Sequence, residues 1–324
     1  MSDSRGNRRR GAPRIASGTD LRTTVGAVEL PNPILTASGT SGHGAELEAY
    51  FPLADLGAVT VKSLSADPWD GNSAPRVHEA TAGMLNSVGL QGPGVAAWLR
   101  DDLPALQQAR ARVVASIWGR TVDGYAEAAR ALRGSPLDVV AVEINLSCPN
   151  LDGGRHLFAQ SERDTHDAVE AVVAQLDRPV WAKLTAQVAN LTDIGAAAVS
   201  AGASALTLVN TLLGMAIDVD ERRYVLGSGP GGGGLSGPAI HPIAVRAVHD
   251  MHVAMPGVPI VGVGGVATGE DAVELLLAGA RAVQVGTATF ADPRAAHRVL
   301  AEVGEWCAQR RVGAIDDLIG GVHE

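Results

Sequence analysis

The stretch Asn145-Leu146-Ser147-Cys148-Pro149-Asn150 sets a thiol between two carboxamides at the end of an apolar run, Val139-Val140-Ala141-Val142-Glu143-Ile144. The run reads as a buried strand, and Asp152-Gly153-Gly154 behind the motif reads as a turn. A free cysteine has a pKa near ~8.5, so a thiolate base is within reach at neutral pH. The flanking asparagines offer neutral donors and acceptors that can hold a planar polar substrate without charge repulsion. Free cysteines are also among the most buried residues, so an inert, structural Cys148 is the alternative this stretch leaves open.

Two lysines, Lys62 and Lys183, also end apolar runs. Paired with acids they would be structural, and Glu143 is the carboxylate on the run before Asn145. The other partner is an anionic cofactor. Gly264-Gly265 and Gly286-Thr287 each precede a helix start and offer bare backbone N–H groups, as phosphate sites do. Either glycine motif alone could be a tight turn. Together with the lysines they suit flavin mononucleotide (FMN), whose phosphate takes the glycine turns. A lysine stabilises the negative charge at the N1–C2=O edge of a reduced flavin.

The elements that must position these groups recur as one unit: a short β-branched run, a polar or glycine-rich exit, then an alanine-rich helical stretch. Strands are expected at 33–37, 58–62, 112–117, 138–146, 179–184, 205–209, 259–263 and 282–285. Helical stretches fall at 125–132, 164–175, 192–201 and 269–278, the last two opening on Thr192-Asp193 and Thr268-Gly269-Glu270-Asp271. Alternation implies right-handed crossovers and a parallel sheet. Eight units predict an α/β fold, a closed (β/α)8 TIM barrel with inserted loops over its C-terminal face, rather than an open sheet. Function in such a barrel sits at the C-terminal strand ends. Those exits carry Ser38, Lys62 with Ser63, Ser116 with Trp118, Asn145 with Cys148, Lys183, Asn210 with Thr211, and the two glycine turns. A hairpin over 21–30, turning near Gly26, leads into the first strand. Insertions at 65–104 and 212–242 read as lids, binding loops or partner surfaces. The glycine run from Gly229 to Gly237 could serve binding or be a slack linker.

Composition narrows the function classes. Of 324 residues 46% are hydrophobic and 3% aromatic, which supports a large aliphatic core. A net charge of -9 argues against a nucleic-acid partner, because phosphate-backbone binding needs a basic face. Cys148 and Cys307 offer neither a disulfide framework nor metal or iron–sulfur spacing, which fits a reducing, cytoplasmic setting. An iron–sulfur cluster, if the chemistry needs one, would sit on another chain. Cys307 reads as structural. No run of ~18 apolar residues predicts a membrane span. Residues 1–20 hold Arg5, Arg8, Arg9, Arg10 and Arg14 among Gly, Ser and Pro, and read as a disordered tail, with an organellar presequence as the other reading. The barrel then occupies 21–324.

The segments NPILTASGT, GMLNSVGLQGPG, EINLSCPN, VNTLLGMAID, GGLSGPAI, VGVGG and AVQVGT resemble, in order, those of class 1 dihydroorotate dehydrogenases over roughly residues 20–303. LLGMAID and GGLSGPAI are most similar to the NAD-linked class 1B branch. The resemblance implies FMN-dependent oxidation of (S)-dihydroorotate to orotate in de novo pyrimidine (UMP) synthesis. It makes Cys148 the base for the C5 proton while the C6 hydride goes to flavin N5. It sets Lys62, Asn86, Gly89, Leu90, Asn145, Asn150, Asn210 and Thr211 around the pyrimidine and its carboxylate. It assigns FMN to Ser38, Lys62, Ser63, Asn145, Lys183, Val209, Gly237, Gly264, Gly265, Gly286 and Thr287. It also implies a separate FAD and iron–sulfur electron-transfer subunit, in a heterotetramer, or else a homodimer. The sequence departs from the family pattern at Ser63, where a glycine usually follows the lysine. It departs again at Ser116, where an asparagine commonly reaches the flavin, with bulky Trp118 beyond, and at Ala159, where the loop usually reads Phe-Gly. Other readings are a flavin oxidoreductase of another dihydropyrimidine, a tRNA-modifying flavin barrel, which the acidic balance disfavours, and a non-catalytic phosphate-binding barrel or accessory subunit. The electron acceptor has no recognisable site in this chain.

Overall fold

The computed structural model of the protein describes residues 18–147 and 158–323. Eight parallel strands form its centre: β1 (Ile34–Thr36), β2 (Val59–Thr60), β3 (Val113–Ile117), β4 (Val139–Asn145), β5 (Val180–Leu184), β6 (Ala205–Leu208), β7 (Ile260–Val263) and β8 (Ala282–Val285). They hydrogen-bond in the order β1-β8-β7-β6-β5-β4-β3-β2. A parallel bridge between Leu35 and Ala58, with the Thr36 N–H donating to Ala58 O at 3.3 Å, joins β1 to β2 and closes the (β/α)8 barrel. Every strand lies within a run expected from the sequence. Runs this apolar need cover on both faces, and a barrel ringed by helices supplies it.

Inward positions alternate along each strand. At the N-terminal end they form an apolar layer of Leu35, Ala58 just ahead of β2, Val114, Ala141, Trp181, Ala205, Val261 and Ala282. The four alanines of this layer leave room for the fully buried Trp181. Truncating that side chain to alanine would cost about 3–5 kcal/mol. The expected hairpin pairs Thr23–Val25 with Val28–Leu30, and Val25, Val28 and Leu30 plug this end of the barrel.

The helices shift slightly from their expected bounds for local reasons. Val122–Ala131 starts before 125 because Thr121 caps it, its Oγ1 accepting the Gly124 N–H at 3.1 Å. Glu162–Val173 likewise starts early, behind the Ser161 cap. Leu191–Ser200 begins after Asn190, so Thr192 lies inside the first turn and donates its hydroxyl to Asn190 Oδ1 at 2.7 Å. Gly269–Leu277 opens on the expected signal, a capping box between Thr268 and Asp271. The last helix, Ala295–Arg310, buries Cys307, and that burial pushes the thiol pKa up. A thiol so placed is a poor nucleophile.

The two insertions are more ordered than loops. Strands from both pair into one antiparallel sheet in the order Leu212–Gly214, Gly233–Ser236, Gly83–Asn86, Val77–Ala80. This excludes the slack-linker reading for Gly233 and Gly234, which are inner-strand residues. A Cβ on Gly233 would stand 2.6 Å from Asn86 O, and one on Gly234 would collide with Thr211 Oγ1. Glycine is there to let backbones approach. The first insertion also carries the helices Val95–Asp101 and Leu103–Gln108. No helix among the described residues is long and apolar enough to cross a membrane. At the N-terminal edge of the described chain, the Asp20 N–H donates to Gly313 O at 2.9 Å. The arginines of segment 1–17, and Cys148 and Asn150, lie outside the described residues.

Candidate active site

The strand exits and the inserted sheet bound a cavity at the C-terminal end of the barrel. Each site residue expected from the sequence and present among the described residues lines it. Ser38, Lys62, Ser63, Asn145 and Lys183 converge from β1, β2, β4 and β5. Val209, Asn210 and Thr211 follow β6, and the Leu208–Val209 peptide is cis. Asn86, Gly89 and Leu90 come from the first insertion. Gly237, Gly264, Gly265, Gly286 and Thr287 form one wall. The expectations for Cys148 and Asn150 fall outside the described residues.

A chain of neutral hydrogen bonds orients the amides. The Ser63 and Ser116 hydroxyl oxygens lie 2.8 Å apart, and Ser63 Oγ accepts from Asn145 Nδ2 at 3.1 Å. Asn210 Nδ2 donates to Asn145 Oδ1 at 2.9 Å and to Ser147 Oγ at 3.0 Å, while Asn210 Oδ1 accepts the Thr211 N–H at 2.8 Å. The Ser147 hydroxyl passes on to Lys183 O at 3.1 Å. From the helix side, the Tyr125 hydroxyl donates to Asn145 O at 2.8 Å and fixes the end of β4. Buried polar groups with partners on each side hold one rotamer. Ser63 and Ser116 therefore act together, the second serine anchoring the first. Trp118 is 3% exposed and belongs to the core cluster, outside the cavity lining.

Lys183 answers both readings given to it. It lines the cavity, and its ammonium donates to Gln284 Oε1 at 3.1 Å, Ser38 Oγ at 3.3 Å and Glu143 Oε1 at 3.5 Å. Lys62, two residues beyond β2, lines the cavity as well.

The glycine wall is built for close approach. Gly265 has φ +71°, and a Cβ there would stand 2.6 Å from His241 Cβ and 2.9 Å from Gly237 O. His241 supports this wall from behind, its Nδ1 2.8 Å from Gly264 O and its Nε2 3.0 Å from Glu274 Oε2. Thr287 Oγ1 lies 2.8 Å from Ser236 Oγ. FMN fits this donor set: a glycine wall without side chains for the phosphate, and an ammonium on the floor for the electron-rich ring edge.

Sequence reasoning missed several lining residues. Met84 and Val88 come from the inserted hairpin and its exit, and Ile240 and Phe290 from short helical turns after Gly237 and Thr287. Phe290 is 60% exposed at the mouth. A large apolar residue three positions past a glycine turn was the available signal. A second recess shares Lys62 and Val88 with the cavity and is lined by His43, Trp69 and Gln91. Burial pushes the His43 pKa down, and Lys62 adds to that, while Asp102 and Glu46 oppose it.

The pattern of the family described as Dihydroorotate dehydrogenase matches residues 20–306. A relative from Desulforudis audaxviator is 45% identical over 299 residues, covering 92% of this chain and 96% of its own. Relatives from Alkaliphilus oremlandii and Geobacter sulfurreducens are each 43% identical, covering 91% and 94% of this chain and 96% and 98% of their own. All three are named "Dihydroorotate dehydrogenase B (NAD(+)), catalytic subunit". The chain belongs to the dihydroorotate dehydrogenase family of oxidoreductases.

Proposed function

We propose that this chain oxidises (S)-dihydroorotate to orotate with FMN, as the catalytic subunit of a cytoplasmic, NAD-linked enzyme of de novo pyrimidine synthesis. The observation that carries the reading is the convergence of the amide chain Asn145–Asn210, both lysines and the glycine wall on one cavity.

In this reading Lys62 and the asparagine amides take the substrate carboxylate and the ring carbonyls, giving charge-assisted and neutral hydrogen bonds respectively. Cys148, three residues beyond Asn145, takes the C5 proton as a thiolate. Gly237, Gly264, Gly265, Gly286 and Thr287 hold the phosphate. Lys183, with Ser38, Ser63 and Val209, borders the ring. Bound FMN supplies the acceptor for the C6 hydride. Met84, Leu90 and Phe290 add apolar surface that excludes water from the reacting face. A separate FAD and iron–sulfur subunit would supply the path to NAD, in keeping with relatives that are named catalytic subunits. The assembly is a heterotetramer with that subunit, or a homodimer.

The test is to purify the chain, record its visible spectrum and add dihydroorotate without oxygen. Bleaching of the flavin band with orotate formed in equal amount is the expected result. A yellow protein that ignores dihydroorotate but is bleached by another dihydropyrimidine would move the substrate, and a protein unable to take up FMN would sink the reading.

A further inference from the structure

Beneath the cavity the barrel interior is polar, whereas the layer below it is apolar. Glu143 is fully buried, and the Lys183 side chain is 4% exposed. Between them stands Gln284, also fully buried. Its Oε1 accepts from Lys183 Nζ at 3.1 Å, and its Nε2 donates to Glu143 Oε2 at 2.8 Å. The direct ammonium–carboxylate contact is longer, at 3.5 Å. Thr207 Oγ1 donates to the same Glu143 oxygen at 3.1 Å. An amide set between a cation and an anion can face only one way, oxygen to the ammonium and nitrogen to the carboxylate.

Such a seat does two opposed things. The amide pulls the ammonium away from the carboxylate and keeps it at the cavity floor. The carboxylate offsets part of the ammonium's charge across a low-dielectric gap. Buried ion pairs add little to stability compared with an apolar core, so a charge seat directly under a cavity suits function better than stability.

We propose that Gln284 and Glu143 are positioning residues for Lys183, and that together they set how much positive charge Lys183 presents to a flavin in the cavity. The inference rests on the FMN reading given above. Neither residue touches the ligand; both act through the lysine. Removing the carboxylate leaves the ammonium uncompensated, which favours the electron-rich, reduced flavin. Removing the amide does the reverse. The ammonium loses its 3.1 Å acceptor, the carboxylate loses its 2.8 Å donor, and the two ions close on each other below the floor.

The experiment is a spectroelectrochemical titration of the full chain loaded with FMN, comparing wild type, Glu143→Gln and Gln284→Leu. The expected result is a midpoint potential raised in Glu143→Gln and lowered in Gln284→Leu. A role confined to packing would change the melting temperature and leave both potentials in place. An unchanged or lowered potential in Glu143→Gln overturns the proposal, as does an unchanged or raised one in Gln284→Leu. If Glu143→Gln does not fold, the sign of the shift in Gln284→Leu decides alone. A wild-type chain that loads no FMN overturns the cofactor reading and this inference with it. Normal loading and bleaching of the wild type with unmoved variant potentials overturns the inference only.

Discussion

The hydroxyl oxygens of Ser63 and Ser116, from adjacent strand exits, lie 2.8 Å apart. Both are positions that the resemblance marks as departures, and their side chains meet. Ser63 also accepts from Asn145 Nδ2, so the pair fixes an amide of the proposed substrate pocket. Ser63→Ala should strip Asn145 of its acceptor and weaken orotate binding by roughly 3- to 10-fold, the worth of one neutral hydrogen bond. Ser116→Ala should weaken orotate binding by less, because Ser63 loses its anchor but keeps its contact to Asn145. In a double-mutant cycle on unfolding free energy, the two should couple by about 0.5–1.5 kcal/mol. Additive effects would mean the hydroxyls do not depend on each other.

Gly265→Ala should damage the proposed phosphate wall. Its φ of +71° disfavours an L side chain, and the new Cβ would press on His241 Cβ at 2.6 Å. The expected cost is about 1–3 kcal/mol of stability, with FMN affinity down at least ~10-fold as the turn gives way. Gly286→Ala is the milder control, because its Cβ would meet Ala37 Cβ at 3.2 Å. Fluorescence titration of FMN into the apoprotein ranks the two, and wild-type affinity in Gly265→Ala would show that its turn does not face the phosphate.

What the sequence made legible follows from which signals are local. β4 and β8 could be bounded to a residue or so because a β-branched run with a polar exit is a local pattern. The sheet joining Gly83–Asn86 to Gly233–Ser236 was not legible. Its strands are about 150 residues apart in the chain, and nothing in either segment names its partner. Glycine composition misled in the same place, since Gly233 and Gly234 look slack alone but serve a close backbone approach. At the site, residues facing the ligand announced themselves as polar strand exits. Gln284 did not, although it shares the inward phase of a buried strand with the exit glycine two residues on. A polar residue at such a position was the readable sign of the layer beneath the cavity.

Stability should fall on acidification through the histidines at the other end of the barrel. The His252 ring stacks 4.9 Å from His323, and His249 lies 4.6 Å from His323. Burial chiefly, then His323, Arg281 and His249, push the His252 pKa below the usual value. Asp250 faces His249 at 3.0 Å as the local acid. The unfolded chain takes up the His252 proton near pH ~6.5 while the native state resists it. The contribution is thus complete above pH ~6.5 and is lost as pH falls toward the lower native value. Melting temperatures at about pH 7.5 and pH 5.5 should converge more closely in His252→Gln than in wild type. An unchanged acid sensitivity would assign it elsewhere, with His43 the next group to test.

Cys148→Ser tests the proposed base directly. A hydroxyl is a far weaker base than a thiolate near neutral pH, so flavin reduction by dihydroorotate should slow by about 10²- to 10⁴-fold. FMN loading should stay normal, because the phosphate wall and Lys183 are untouched. Anaerobic stopped-flow reads the rate, and wild-type reduction in the variant would remove Cys148 from the chemistry.

Asn210 offers the sharpest test of where the substrate lies. Its Nδ2 forks between Asn145 Oδ1 and Ser147 Oγ, and its Oδ1 holds the Thr211 N–H. Asn210→Asp keeps the size and the Thr211 contact but has no donor for Asn145 Oδ1. That oxygen then faces another of like charge, so Asn145 must turn, which breaks its bond to Ser63. The new carboxylate also brings negative charge into a cavity proposed to bind a carboxylate ligand. Asn210→Ala loses the donors without adding charge. Orotate binding, followed through the flavin spectrum, should weaken by about 5-fold in Asn210→Ala, the loss of one or two neutral hydrogen bonds. It should weaken by roughly 50-fold in Asn210→Asp, where like-charge repulsion of a few kcal/mol at partly buried distances adds to that loss. The charge contribution should shrink only slightly in added salt, because buried charges are poorly screened. Equal losses in the two variants would mean that a charge at Asn210 is not felt by the ligand, which would place the bound substrate out of its reach.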